Sequence, residues 1–106
     1  MGDYRVRFSA LAADPLEGDV AERLAGALAA TPGTGAVDSA TQDDQRRLVV
    51  GRFTINVVHG IADAARDASR LAKEALNGAG LPDAQLVELA LTLRLDDDAG
   101  EDPQPA

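Results

Sequence analysis

Arginines are the side chains in this sequence best placed to do chemistry, because they recur at alternating positions within apolar segments. Arg5 and Arg7 alternate with apolar residues near the N-terminus, and Arg52 and Arg94 do so in two later segments. Alternate side chains of a strand point to opposite faces, so the arginines are predicted on one face and the apolar side chains on the other. A guanidinium pairs with carboxylates through charge-assisted hydrogen bonds. The pattern predicts a basic surface that selects an acidic partner.

Apolar residues are predicted on the same face, and they favour a protein-binding surface. Leu48 and Val50 share the alternation of Arg52, and arginine among apolar neighbours is typical of interfaces. The predicted partner-binding residues are Arg5, Arg7, Leu48, Val50, Arg52 and Arg94. Our leading hypothesis is therefore a small non-enzymatic interaction module that forms a homodimer or docks on another protein. A merely solvated face and an anion-binding platform are the other interpretations.

A second hypothesis centres on His59, which is the only histidine and follows the third apolar segment. A histidine can act as a general base near neutral pH, although a lone one is more often a cap or loop residue. Thr54, Asn56 and His59, with Arg52, would line a pocket in an enzyme or ligand-binding protein of the dimeric α+β barrel kind. In such proteins, which include small monooxygenases and isomerases, two sheets face each other.

Several chemistries are disfavoured by what the sequence lacks. There are no cysteines, which excludes disulfides and thiolate metal sites. The glycines at 33 and 35 follow a helix and precede a strand, the wrong order for a nucleotide-binding loop. The acidic run from 96 to 102 lacks the ligand spacing of an EF-hand. We expect no cofactor and no bound metal, and no catalytic cluster is evident.

Length and charge narrow the class of protein further. The 106 residues predict one domain over 1–95, followed by a disordered acidic tail over 96–106. A net charge of −8 argues against binding to nucleic acid or to anionic membranes. The strand alternation predicts that the only aromatic residues face the core: Tyr4, Phe8 and Phe53. This placement argues against stacking on RNA bases. No signal peptide or membrane span is evident, so we expect a cytoplasmic protein.

Hydrophobic periodicity predicts the elements that must position these residues. Strands are predicted at 4–11, 36–42, 47–58 and 86–95, and helices at 15–30 and 61–77. The first helix is expected to begin with a capping box formed by Asp14 and Glu17 around Pro15. On the last strand, Val87 is predicted on the core face and Leu86 on the outer face.

The order of these elements, β-α-β-β-α-β, constrains the topology. Right-handed crossovers place both helices on one face of an antiparallel sheet with strand order 4-1-3-2. This layout resembles the ferredoxin-like superfold, an α+β sandwich that hosts many unrelated functions. The resemblance implies an open sheet face opposite the helices, and the arginines are expected there.

Overall fold

The computed structural model describes residues 2–16, 18–57 and 60–94. The elements are β1 (Gly2–Leu11), α1 (Val20–Ala30), β2 (Val37–Asp43), β3 (Leu48–Val57), α2 (Ile61–Gly78) and β4 (Gln85–Arg94). His59 and the predicted acidic tail lie outside the described residues. Neither described helix is long and apolar enough to cross a membrane.

The strands form one sheet in the order β2-β3-β1-β4, and every neighbouring pair is antiparallel. This is the predicted order 4-1-3-2 taken from the opposite edge, so the α+β ferredoxin-like architecture is confirmed. The two longest-paired strands, β1 and β3, lie in the centre. Strand β2, which has little apolar character, lies at an edge, where polar residues discourage pairing with other chains.

The core lies between the helices and one face of the sheet. Phe8 and Phe53 meet edge-on with ring centroids 6.0 Å apart, and both are fully buried. A Cβ on Gly51 would lie 2.5 Å from the Phe8 ring, so this strand position requires a glycine. The fully buried alanines of α2 bring that helix close to the sheet: Ala64, Ala68, Ala72 and Ala75.

The first helix begins five residues later than predicted, at Val20. Gly18 adopts a φ of +62°, in the left-handed region, so a right-handed helix cannot include this residue. The side chain of Gln42 on β2 forms hydrogen bonds at the start of this helix. Gln42 Oε1 accepts from the Ala21 N–H at 2.7 Å, and Gln42 Nε2 donates to the Gly18 carbonyl at 3.2 Å. Asp14 is therefore not the cap of this helix, and Glu17 of the predicted capping box lies outside the described residues.

An irregularity in the β1–β4 pairing corrects the predicted faces of β4. Ser9 pairs with Glu88 whereas Ala10 pairs with Leu86, so Val87 is an extra residue. The insertion inverts the alternation. Leu86 therefore packs against the core instead of facing outward, and Val87 is 53% exposed instead of buried.

Candidate functional site

The candidate site lies on the open face of the sheet, opposite the helices. Arg7 stands directly across from Arg52 on β3 and from Ala90 on β4. Arg5 lies two residues along β1 on the same face. The predicted alternation therefore brings these three arginines together near the middle of the sheet, as β1 and β3 are its central strands.

A cavity of about 480 Å³ lies over these arginines, and we call it the sheet-face cavity. Its lining residues are Arg5, Val6, Arg7, Asp38, Ser39, Arg52, Ala90 and Thr92. The volume falls within the range of about 300–1,000 Å³ that is usual for small-molecule sites. The described chain forms the floor of this cavity from three strands and the β2 edge, and leaves its outer side open.

The β2 side of the cavity was missed by the sequence analysis. Val37 pairs with Phe53 and Ser39 with Arg52, so Asp38 is an extra residue in the β2–β3 pairing. Asp38 and Ser39 therefore both line the cavity. The weak alternation of β2 gave no signal for this irregularity, because Val37 is its only large apolar residue.

Electrostatic partners are distributed unevenly among the three arginines. Arg7 Nη1 lies 2.6 Å from Glu88 Oε1, and the same oxygen accepts a hydrogen bond from Ser9 Oγ at 2.9 Å. Within residues 2–16, 18–57 and 60–94, neither Arg5 nor Arg52 makes an ion pair or a side-chain hydrogen bond. Two guanidinium groups of the cavity thus have no protein partner in the described part of the chain.

Two other predicted partner-binding residues, Leu48 and Val50, lie apart from the cavity. Leu48 and Val50 are half-buried on the same face, across from Leu11 and Ser9 respectively. Neither is among the lining residues. Arg94 pairs in register with Asp3 at the far end of β4. A role in partner binding stays a prediction for all six residues.

The predicted pocket residues Thr54 and Asn56 are engaged in local contacts. Thr54 Oγ1 accepts from the Ala36 N–H at 2.9 Å, and its backbone bonds both Gly35 and Ala36. Asn56 Nδ2 donates to Asp3 Oδ1 across the strand pair. Neither residue lines the sheet-face cavity, which lies closer to the middle of the sheet. A role in a pocket stays a prediction for Thr54 and Asn56, and His59 lies outside the described residues.

A smaller cavity of about 260 Å³ lies between the β1–α1 and α2–β4 connections. Asp14, Arg23 and Asp83 are its charged lining residues. Arg23 Nε already donates to the Ala79 carbonyl at 3.3 Å, so this arginine links α1 to the α2–β4 connection. A structural role explains its contacts, and the sheet-face cavity is the better candidate site.

No family model matches this sequence, and no curated protein matches it either. A solved structure from Chloroflexus aurantiacus J-10-fl, described as a "putative Antibiotic biosynthesis monooxygenase", is similar over 92% of this chain and 97% of its own. The identity is 14% and the TM-score is 0.46, so the likeness concerns the fold alone.

The comparison corrects our leading functional hypothesis. The solved structure of similar layout is described as an enzyme, which does not fit the expectation of a non-enzymatic interaction module, and that expectation is not proposed again. The alternative, a dimeric α+β barrel enzyme or ligand-binding protein, is the hypothesis carried forward. Its ligand must be argued from the residues of this chain.

Proposed function

We propose that this protein binds a small organic ligand in a pocket enclosed between the open sheet faces of two copies, in the manner of a dimeric α+β barrel. The observation that carries the proposal is the sheet-face cavity, which has a floor of strand residues and no protein roof within the described chain. Small-molecule sites usually bury most of their ligand. A second sheet laid over the cavity would supply the missing side.

The charges of the open face support pairing with a second copy. Arg5 and Arg52 lie on the same surface as Asp38, which makes no ion pair within the described residues. In a two-fold interface, each patch meets the same patch of its partner, so residue i contacts j while j contacts i. A face that carries both signs of charge can therefore be complementary to itself. The half-buried Leu48 and Val50 add apolar area beside the charged residues.

The test is to place a bulky side chain on the floor of the cavity and to measure both mass and ligand content. Ala90 is exposed and lines the cavity, so Ala90→Trp should obstruct it. Ala29, which is exposed on α1, offers a matched control as Ala29→Trp. Each protein is examined by size-exclusion chromatography with light scattering, at low salt and at about 0.5 M salt, where long-range charge interactions are screened. Native mass spectrometry then records any retained small molecule.

The proposal predicts a dimer for the wild type and for Ala29→Trp at both salt concentrations, with a recurrent small molecule retained. Ala90→Trp should be monomeric and should lose that molecule, while its circular dichroism spectrum stays unchanged. A wild-type monomer at both salt concentrations would contradict the proposal. So would an Ala90→Trp variant that keeps both the dimer and its ligand.

A further inference from the structure

We infer that the ligand of the sheet-face cavity is a small organic carboxylate whose charged group binds Arg52, assisted by Arg5 and Arg7. This inference rests on the proposed function, because it names the class of ligand for the same cavity. It starts from the register of the two central strands, which the structure gives residue by residue.

The cross-strand pair of Arg7 and Arg52 is unfavourable in isolation. Like charges directly opposite each other on neighbouring strands destabilise a sheet. Here the pair lies in the middle of the sheet, where β1 and β3 pair over their whole length. Glu88 offsets the charge of Arg7 alone. An anion beside Arg52 would remove the rest of the repulsion between the two guanidinium groups. The charges of the cavity are therefore better compensated when such an anion is bound.

Glu88 shows within the molecule that a carboxylate fits this surface. Its Oε1 receives Arg7 Nη1 at 2.6 Å and Ser9 Oγ at 2.9 Å, which is one guanidinium and one hydroxyl on the same oxygen. The cavity repeats these donor types nearby. Arg52 pairs in register with Ser39 on β2, and Arg5 pairs in register with Thr92 on β4. All four residues line the cavity. A ligand carboxylate could therefore find guanidinium and hydroxyl donors on either side of Arg7.

The charge balance of the lining favours a single negative charge. Three arginines face Asp38 in the lining, and Glu88 beside the cavity already compensates Arg7, which leaves a surplus of one positive charge in a protein of net charge −8. The planar fork of arginine matches the two oxygens of a carboxylate, and the lining contains no lysine. Asp38 would repel a dianion more than a monoanion. Ala90, across from Arg7 on β4, contributes only a methyl group to the lining, which leaves room for the organic part of the ligand.

The experiment compares benzoate with benzamide, which has nearly the same shape but no charge. Binding to the full-length protein is followed by the Nε–Hε signals of the arginines in ¹H–¹⁵N spectra. The Arg52 signal is identified by its loss in Arg52→Gln. Arg66→Gln provides the matched control, because Arg66 lies on α2 and pairs with Asp63 at 3.5 Å. Inorganic phosphate serves as a competing anion, and light scattering on the same samples reports the dimer.

Benzoate should shift the Arg52 signal with saturation, and benzamide should not. Arg52→Gln should weaken benzoate binding by about 10- to 100-fold, the usual effect of losing a charge-assisted hydrogen bond. Arg66→Gln should bind as the wild type does. Equal binding of benzoate by Arg52→Gln and the wild type would overturn the inference, as would equal binding of benzamide. Equal competition by inorganic phosphate would overturn the preference for a carboxylate.

The two proposals fail in different ways. A dimer whose arginine signals do not respond to benzoate would overturn the carboxylate inference and leave the two-copy pocket standing. A monomer whose Arg52 signal still shifts with benzoate would overturn the two-copy pocket, and it would show that one sheet suffices to recognise the carboxylate.

Discussion

The two faces of the central strand pair, β1 and β3, carry opposite kinds of residue: aromatic side chains on the covered face and arginines on the open face. Phe8 and Phe53 face the helices, fully buried and edge-on to each other. Their chain neighbours Arg7 and Arg52 face outward and stand directly across from each other. The first pair stabilises the fold through burial and ring contact, whereas the second opposes it. Like charges placed opposite each other break a local rule of sheet stability, and such violations in an otherwise well-packed fold are expected at functional sites.

The largest expected effect comes from removing an aromatic ring of the covered face. Phe8→Ala should lower the free energy of unfolding by about 3–5 kcal/mol, because a fully buried ring leaves a cavity behind. Arg5→Ala, on the same strand but on the open face, should change it by no more than about 0.5 kcal/mol. Chemical denaturation followed by circular dichroism measures both. Similar losses in the two variants would contradict the contrast between the faces.

A smaller effect is expected from adding a methyl group beneath the same ring. Gly51→Ala would place its Cβ 2.5 Å from Phe8 Cε1 and 3.2 Å from Leu28 Cδ1, so overpacking should cost about 1–3 kcal/mol. Gly26→Ala is the matched control. A Cβ at Gly26 meets nothing within 4 Å, and alanine in α1 should stabilise the helix by about 0.5–1 kcal/mol. Opposite signs in thermal unfolding are the expected result. A gain of stability in both variants would contradict the close packing of the Phe8 ring against Gly51.

The smallest expected change in stability lies on the open face. Glu88→Gln should cost less than about 1 kcal/mol, since the Arg7–Glu88 pair is about half exposed and therefore screened by water. The same change frees Arg7 and should strengthen benzoate binding. Glu74→Gln, which breaks the similarly exposed pair with Arg70 on α2, should cost about as much and leave benzoate binding unchanged. Calorimetric titration with benzoate separates the two variants. Weaker binding by Glu88→Gln would contradict the assignment of Arg7 to the site.

Alternation made the central strands predictable from the sequence. Tyr4, Val6 and Phe8 on β1, and Val49 and Phe53 on β3, lie in the core as their parity predicts. These strands pair without interruption, so each residue keeps its face. The placement of Arg5, Arg7 and Arg52 on one face follows from the same alternation.

Prediction failed wherever a partner strand or a loop changed the local pattern. Val87 was assigned to the core because it alternates with Leu89, but the extra residue at this point turns it outward. Similarly, the Asp14–Pro15 sequence suggested a helix start that Gly18 and the distant Gln42 moved to Val20. The candidate site was half predicted. Its arginines were identified, whereas Asp38 and Ser39 on β2 were not.

The sequence by itself determined the order of the elements, the faces of β1 and β3, and hence the gathering of basic side chains opposite the helices. Period and alternation are local properties that each segment carries along its own chain. Only the tertiary structure decided the register that sets Arg7 against Arg52, the positions of the extra residues Val87 and Asp38, and the sheet-face cavity over the arginines. Register depends on which residues of two separate strands exchange hydrogen bonds, and neither strand alone contains that information.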